Sequence, residues 1–388
     1  MNKRSLILIS VLILISASLF FFLKLPQTNK QLSEELEPTL RLTVSDLLSE
    51  NGSSGFDYAL HPRPFVFPQD HGPHPTFRNE WWYITGNLFD KNQNRFSYQL
   101  TFFRQALTPV NQQHSWKNNT ITMAHFALSN HQTGQFIARE KWGRDGAGVA
   151  GAQSKPFRVW LDDWSIQSMT NNNDSIFPIT LHAKNETQSL QLTLSAQKPI
   201  TLQGKQGLSQ KSEKPGNASY YYSFTRLNTT GTFSEKQQTY KVQGHSWLDR
   251  EWSSSALSKD QQGWNWFAFH LANGDDLMFY QLLQKDGTTS PFSDGIIVTN
   301  TQKKIHLSEQ HITLIPLQYW RNKLGQLFPV KWKMKIHHPD YNADWIIQAP
   351  INNQWLNLSV SYWEGAIDVL ENKNQQTAGY GFLEMTRK

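Results

Sequence analysis

The segment GHSWLDREWSS, residues 244–254, places four chemically competent side chains at alternate positions: His245, Trp247, Asp249 and Glu251. Alternate residues of a strand share one face, so the pattern predicts an imidazole, an indole and two carboxylates on one side. Adding water to a double bond needs a proton donor, an aromatic face for the carbocation and a base for water. Asp249 or Glu251 could be the donor, Trp247 the aromatic face and His245 the base. A solvated strand face carrying structural ion pairs explains the same pattern without catalysis.

A second segment, FPQDHGPHPTFRNEWWYITGNL at residues 67–88, is equally dense in polar and aromatic groups. Asp70, His71 and His74 could supply oxygen and nitrogen ligands to a metal ion. Two prolines prevent a regular helix from presenting both histidines on one face, and the HExxH spacing of zinc proteases does not occur in the sequence. We therefore expect no metal and no cofactor. Asp70 and His71 are instead expected to hydrogen-bond the backbone where the chain enters a barrel.

Within this segment Arg78, Glu80 and Trp82 fall on one face of a predicted strand, and Trp81 and Tyr83 fall on the other. A buried arginine–carboxylate pair covered by an indole would close one end of a barrel. The alternative is that the segment forms the mouth of a binding or catalytic site.

The run Arg78-Asn79-Glu80-Trp81 in the second segment resembles Arg250-Glu251-Trp252 in the first. We expect the two charged segments to meet at the contact between two domains, because their charges could satisfy one another there. Trp264 and Trp266, in GWNWFAFHL at residues 263–271, are further candidates for ligand binding or for barrel closure.

Composition excludes several classes of protein. The 388 residues contain no cysteine, so disulfides and thiolate chemistry are impossible. The net charge of +6 arises from 37 basic and 31 acidic residues without a dense basic run, which argues against nucleic acid as a partner. The 15 Trp, 23 Phe and 12 Tyr favour strands over helices.

Hydrophobic alternation predicts an all-β protein. Pieces such as FSYQLTFFRQAL (96–107) and LQLTLSAQ (190–197) alternate between apolar and polar residues and end at turn-forming residues. The stretch EWWYITGNLFDKNQNRFSYQL resembles GWNWFAFHLANGDDLMFYQLL, which indicates an internal repeat. We predict two consecutive antiparallel domains, each a barrel or a sandwich, over 56–255 and 256–388, with a boundary nearer Gly231 as the alternative; the hairpins 81–103 and 264–282 are expected to be equivalent.

The N-terminus predicts a membrane segment. Lys3 and Arg4 precede 19 uncharged residues, Ser5–Leu23, which is long enough to cross a bilayer as a helix. A good cleavage site does not follow, so residues 1–24 are expected to be a retained signal anchor, with a cleaved signal peptide as the alternative. Residues 25–55 are the expected linker. The chain beyond Lys24 would then lie in the cell envelope, facing the periplasm from the cytoplasmic membrane, or free in the periplasm after cleavage.

Five motifs occur in an order that resembles the AttH/CrtC lipocalin-like family. These are the two segments described above, GWNWFAFHL, LMFYQL (277–282) and YWEGAIDV (362–369). The resemblance covers about Phe56 to Met385 and implies two lipocalin-like barrels. The family includes predicted secreted hydrolases, ABC-transporter operon components and carotenoid 1,2-hydratases, so it leaves the activity open.

Two functions follow from the resemblance and the residues together. The first is binding of an apolar or amphipathic molecule, such as a lipid, isoprenoid or acyl chain, with an ABC-type export system as a partner. The second is a hydratase or hydrolase acting on such a molecule. Many family members carry GWDWF, whereas this chain has Asn265 in that motif. A possible catalytic acid is therefore missing, which argues against carotenoid hydration.

Overall fold

The protein is represented by a computed structural model that describes residues 52–109, 119–145, 147–170 and 175–386. These ranges contain 23 β-strands, two short 3-10 helices at Gln69–His71 and Glu309–His311, and no α-helix. A helix of the length and apolar character needed to span a bilayer does not occur within them. The predicted membrane segment and all but the end of the predicted linker lie outside the described residues.

The first sheet follows the order β4-β3-β2-β1-β13-β12-β9-β8-β7-β6-β5, with β10 and β11 also paired to β12. All its pairings are antiparallel. Its strands are β1 Asn79–Phe89, β2 Arg95–Ala106, β3 Thr120–Asn130, β4 Gln135–Arg144, β5 Ala150–Ser154, β6 Phe157–Leu161, β7 Trp164–Ser168, β8 Ile179–Lys184, β9 Gln188–Ala196, β10 Thr201–Leu202, β11 Leu208–Gln210, β12 Ala218–Glu235 and β13 Gln238–Ser253.

The second sheet follows the order β17-β16-β15-β14-β23-β22-β20-β19-β18, with β21 also paired to β22. It too is antiparallel throughout. Its strands are β14 Gln261–Leu271, β15 Asp276–Gln284, β16 Asp294–Val298, β17 Lys304–Ser308, β18 Ile312–Arg321, β19 Leu327–His338, β20 Tyr341–Gln348, β21 Trp355–Leu356, β22 Tyr362–Glu371 and β23 Thr377–Met385.

The two sheets share one topology. In each, the first strand lies between the second strand and the last strand, and the remaining strands continue outward on both sides. The hairpins β1–β2 and β14–β15 occupy corresponding places in this order. The prediction of an all-β fold with two lipocalin-like barrels is confirmed. The first sheet ends at Ser253 and the second begins at Gln261; the domain division at Ser255 stays a prediction.

Each barrel has its own apolar interior. The core of the first barrel includes Leu190, Leu192 and Leu194, which alternate along β9 as a half-buried strand requires. The core of the second includes Phe267 and Phe269 of β14. Burial of these apolar side chains is the main stabilising contribution to each barrel.

A third apolar cluster lies at a seam between the sheets, where strands of both barrels are buried on two faces. It includes Tyr83 and Trp247 from the first sheet and Trp266, Met278 and Phe382 from the second.

Ion pairs also cross the seam. Arg95 of β2 pairs with Asp368 of β22, and Arg226 of β12 pairs with Asp276 of β15. Lys198 adds a second cation to Asp276, at 2.8 Å between Nζ and Oδ2. These charged groups are largely buried and each acid has a cationic partner, so separating the two barrels would break these buried ion pairs.

The charged segments on β1 and β13 meet within the first barrel. Glu80 is fully buried and forms ion pairs with Arg104 of β2 and Arg250 of β13. The Arg250 guanidinium lies 4.0 Å from the centre of the Trp82 ring. Trp82 and Trp252 belong to the first barrel's core. The expected indole-covered charged pair therefore exists at this barrel.

Two details of the expectation were wrong. Of the two arginines expected to pair with Glu80, Arg250 does so together with Arg104, whereas the Arg78 side chain reaches Ser53, at 3.4 Å between Nη1 and Oγ. The charged pair also lies on the first-barrel side of β1 and β13 and not at the seam. The reason is the pleat, which turns Glu80 and Trp82 to one side of the strand and Trp81 and Tyr83 to the other.

The predicted entrance segment packs against this charged cluster. Asp70 accepts hydrogen bonds from Arg63 and from the Val66 backbone, and it lies 3.1 Å from His74 Nε2. His71 Nδ1 lies 2.6 Å from the Tyr222 hydroxyl. Groups of three or more potential metal ligands do not occur in the described part of the chain. Asp70 and His71 thus hold the chain where it enters the barrel.

Glu80 should be essential for stability. Burial raises its pKa, but Arg104 and Arg250 outweigh that effect and hold the pKa well below its usual value. Glu80→Gln removes the negative charge while two buried guanidinium groups remain. We expect a loss of about 3–5 kcal/mol of unfolding free energy in thermal or denaturant melts.

Asp340→Asn is the matched control, because it removes a carboxylate from an exposed pair with Lys303. It should change stability by less than about 1 kcal/mol. A Glu80→Gln protein that melts like the parent would contradict the assignment of this cluster to barrel closure.

Candidate functional site at the inter-barrel cavity

A cavity of about 100 Å³ opens at the seam between the two barrels. Half of its 16 lining residues are aromatic, and the others include three acids and one lysine. The lining residues are Trp81, Tyr83, Phe103, Met123, Lys211, Tyr221, Asp249, Glu251, Ala256, Trp264, Trp266, Tyr280, Leu282, Val360, Tyr362 and Glu384. A lining that is apolar with a few convergent polar groups is typical of a small-molecule site, and a volume of about 100 Å³ fits a small molecule or part of a larger one.

The alternation along β13 brings the predicted acids to this cavity. Asp249 and Glu251 line it, while Arg250 and Trp252 point into the first barrel. Of the aromatic residues that the sequence suggested, Trp81, Tyr83, Trp264 and Trp266 are on the cavity wall.

Asp249 is the best-placed proton donor. Its carboxyl group is buried and accepts hydrogen bonds from Tyr221 at 2.7 Å, from the Trp247 indole at 2.6 Å and from Ser223. Burial raises its pKa to about 7, against the lowering effect of these three neutral donors. A carboxyl group with this pKa can carry a proton at neutral pH and release it to a bound molecule.

Glu251 has a different environment on the same strand. It accepts a hydrogen bond from Ser219, and Lys211 Nζ lies 3.5 Å from its Oε1 atom. The Lys211 ammonium group also lies 4.0 Å from the centre of the Tyr280 ring. Glu251 therefore has a cationic partner that Asp249 does not have, so it is the better candidate for the base.

Trp247 and His245 lie behind the cavity wall. Trp247 is almost fully buried and contacts Trp266, with ring centres 6.5 Å apart. Its indole orients Asp249 and is not an open surface for a cation. The His245 ring lies 5.8 Å from that of His270, and burial, followed by the charge of Arg226, lowers the pKa of His245. The wall tryptophans are better placed than Trp247 for the aromatic role, and His245 does not line the cavity.

Sequence reasoning missed a second pair of acids, Glu364 and Glu384. They are direct cross-strand partners on β22 and β23. The Tyr83 hydroxyl donates to Glu364 at 2.5 Å, and the Trp264 indole donates to Glu384 at 2.8 Å. Burial raises the pKa of both groups, and for Glu384 the value is about 8. The pair therefore holds at least one proton at neutral pH.

A chain of polar groups leads from Glu364 to the surface. Tyr362 lies two positions away on the same face of β22, and its hydroxyl is 2.8 Å from His125 Nδ1. The other ring nitrogen of His125 is 3.5 Å from Glu140, whose side chain is partly exposed. His125 and Tyr362 thus lie between the partly exposed Glu140 and the cavity wall.

Asn265 is not on the cavity wall. It shares its face of β14 with Phe267 and Phe269, which are in the second barrel's core, and its amide donates to Gln281 at 2.8 Å. The reasoning that this asparagine removes an acid from the site was wrong for this chain. An aspartate at this position would share that face of β14, while Asp249 and Glu384 already supply acids to the cavity.

The raised pKa of Glu384 predicts a pH-dependent gain from Glu384→Gln. In the parent, the folded state holds this proton up to about pH 8, whereas the unfolded chain releases it near 4.5. Stability is therefore lost as pH rises through this window, by on the order of 1.4 kcal/mol per pKa unit. Glutamine does not ionise, so the variant does not lose this stability as the pH rises. The substitution also removes a like-charged neighbour of Glu364.

We expect Glu384→Gln to melt like the parent near pH 5 and at a higher temperature than the parent at alkaline pH. Glu186→Gln, at an exposed carboxylate in the β8–β9 turn, should track the parent at every pH. A Glu384→Gln protein whose stability relative to the parent is independent of pH would show that Glu384 is ionised throughout.

Comparison with known proteins identifies similar chains. The model of the AttH-like family matches residues 58–387. A crystal structure assigned as AttH from Nitrosomonas europaea has a TM-score of 0.75 and 29% sequence identity, and the match covers 85% of this chain and 99% of that chain. A search of curated proteins found no match.

Two further solved structures share the fold at low identity. Kievitone hydratase from Nectria haematococca has a TM-score of 0.64 at 16% identity, covering 86% of this chain and 98% of its own. CghA with Sch210972 has a TM-score of 0.51 at 12% identity, covering 87% and 97%.

Proposed function

The chain belongs to the AttH-like family, and from that premise we propose that it binds an apolar or amphipathic molecule in the inter-barrel cavity and adds water to it or removes water from it. The observation that carries the proposal is Asp249, a buried carboxyl group with a pKa of about 7 on an aromatic cavity wall. A hydro-lyase needs such a group, because protonating a double bond or a hydroxyl leaving group is its difficult step.

The proposed hydration proceeds by transfer of one proton from Asp249 to one carbon of a double bond. Water then bonds to the other carbon and gives its extra proton to Glu251, so the product gains one water overall. Proton exchange with solvent returns both acids to their starting states. The faces of Trp81, Trp264 and Trp266 favour the cationic transition state by cation–π attraction. Dehydration is the same sequence in reverse.

Glu364 and Glu384 would act as a proton reserve. They lie across the seam from Asp249, and the charge of Asp249 helps to raise the pKa of Glu384. The route through Tyr362, His125 and Glu140 would exchange their protons with solvent while the cavity is occupied by an apolar molecule.

A binding role without chemistry is the second candidate. The aromatic wall supports it, since such a surface retains isoprenoid, acyl or other lipid-like molecules by burial alone. In this role the protein would carry its ligand in the cell envelope, held at the cytoplasmic membrane by its N-terminal segment, and exchange it with an ABC-type exporter. The support for this location is the uncharged Ser5–Leu23 stretch.

The test of the proposed chemistry uses a short isoprenoid tertiary alcohol and the matching alkene as probes. The purified protein should interconvert them, with a mass change of one water detected by mass spectrometry. Asp249→Asn should reduce turnover by at least about a hundredfold, because an amide cannot donate the proton. Binding of the alcohol, followed by quenching of tryptophan fluorescence, should be retained within a few-fold.

Glu186→Gln is the control and should leave turnover unchanged. Binding of both probes by the parent without interconversion would favour the carrier role. Turnover by Asp249→Asn at the parental rate would remove Asp249 from the mechanism.

A further inference from the structure

The hairpin formed by β18 and β19 exposes an unusual amount of apolar surface. Five large apolar side chains on it are 44–52% exposed, whereas its inward side chains belong to the core of the second barrel. The exposed residues are Ile315, Leu317, Tyr319, Leu324 and Leu327. Scattered single residues of this kind are ordinary, but five on one hairpin form a patch that typically marks an interaction site.

The same hairpin is strongly basic. Residues 312–338 contain five lysine or arginine residues and no aspartate or glutamate. Lys331, Lys333 and Lys335 alternate with Trp332, Met334 and Ile336, so the cations point outward while these apolar residues enter the core. Asp344 on β20 lies 3.9 Å from both Lys333 and Lys335 and offsets part of this charge. Arg321 and Lys323 add positive charge near the turn.

The backbone of this hairpin argues against a protein strand as the partner. β18 is at the end of the strand order, so its outer edge could in principle pair with another chain. Pro316 in its middle has no backbone N–H, and the register with β19 is irregular from Pro316 to Tyr319. A proline and an irregular register both prevent the continuous hydrogen bonding that strand addition requires.

We propose that the β18–β19 hairpin docks on an anionic lipid surface. The apolar side chains would enter the interfacial region while the lysines and arginines contact phosphate-bearing headgroups, as in other amphipathic membrane-binding segments. Each basic residue near such a surface adds to the attraction, and Tyr319 suits the boundary between headgroups and acyl chains. The proposal rests on the hairpin alone and is independent of the chemistry at the cavity.

The absence of native cysteine allows a direct test on the full chain. Leu324→Cys is labelled with a polarity-sensitive thiol dye and mixed with vesicles of phosphatidylcholine and phosphatidylglycerol in equal parts. We expect a blue shift of dye emission, which reports transfer of the hairpin tip to a less polar environment. Vesicles of phosphatidylcholine alone should give a smaller shift, because the electrostatic attraction is missing.

Glu186→Cys is the matched control, since it places the same dye on an exposed turn of the first barrel. This comparison matters because the N-terminal segment could itself bring the whole chain to vesicles. When both labelled proteins sediment with the vesicles, only the emission of the dye at residue 324 should shift to the blue. Equal shifts at both positions, or no shift at residue 324 in sedimented protein, would overturn the proposal.

Charge reversal separates lipid docking from self-association. Arg321→Glu with Lys323→Glu should raise the concentration of mixed vesicles needed for half of the shift by more than about tenfold. A shift at residue 324 that appears without vesicles and grows with protein concentration would instead identify a second copy of the chain as the partner and overturn the proposal.

Discussion

The structure depends on strands that are buried on both faces. β1 and β13 are neighbours, and each must fill the first barrel with one set of side chains and form the seam with the alternate set. The strand pleat therefore sorts the charges of one short segment into two places. Arg250 enters a fully charged cluster with Glu80, while Asp249 and Glu251 reach the cavity. Function and stability are thus encoded by alternate residues of the same two strands.

The charged cluster and the cavity shift the pKa of a buried carboxyl group in opposite directions. Glu80 and Asp249 are both almost completely buried, so desolvation alone would raise the pKa of each. Glu80 lies between two guanidinium groups, which keep it ionised. Asp249 receives neutral donors from Tyr221, Ser223 and Trp247, and these do not outweigh the burial. The opposite pKa shifts of these two acids are therefore set by their partners and not by the depth of burial.

Part of this could be predicted from the sequence because strand alternation is local. The shared face of Glu80 and Trp82, the opposite face of Trp81 and Tyr83, and the presence of two related β domains all follow from a period of two and an internal repeat, whereas the barrel form came from the family resemblance. The partners could not be predicted in the same way. Arg104 reaches Glu80 from the next strand, and Tyr83 reaches Glu364 across the seam, 281 positions along the chain. Such contacts depend on register and on how the barrels pack.

Asn265 shows that a sequence motif can mislead when the strand face of each of its residues is unknown. Many family members carry an aspartate at this position, between two tryptophans, so an acid there looked relevant. The structure places both tryptophans, Trp264 and Trp266, on the cavity wall. The pleat turns Asn265 toward Gln281 on the other side of β14. Glu364 was within a recognised motif, but its meaning depends on Glu384 being directly opposite on β23. Two buried acids side by side must share their protons with each other and with the groups around them. The seam holds these acids in apolar surroundings that raise their pKa, which is the condition that the proposed proton transfer to an uncharged molecule requires.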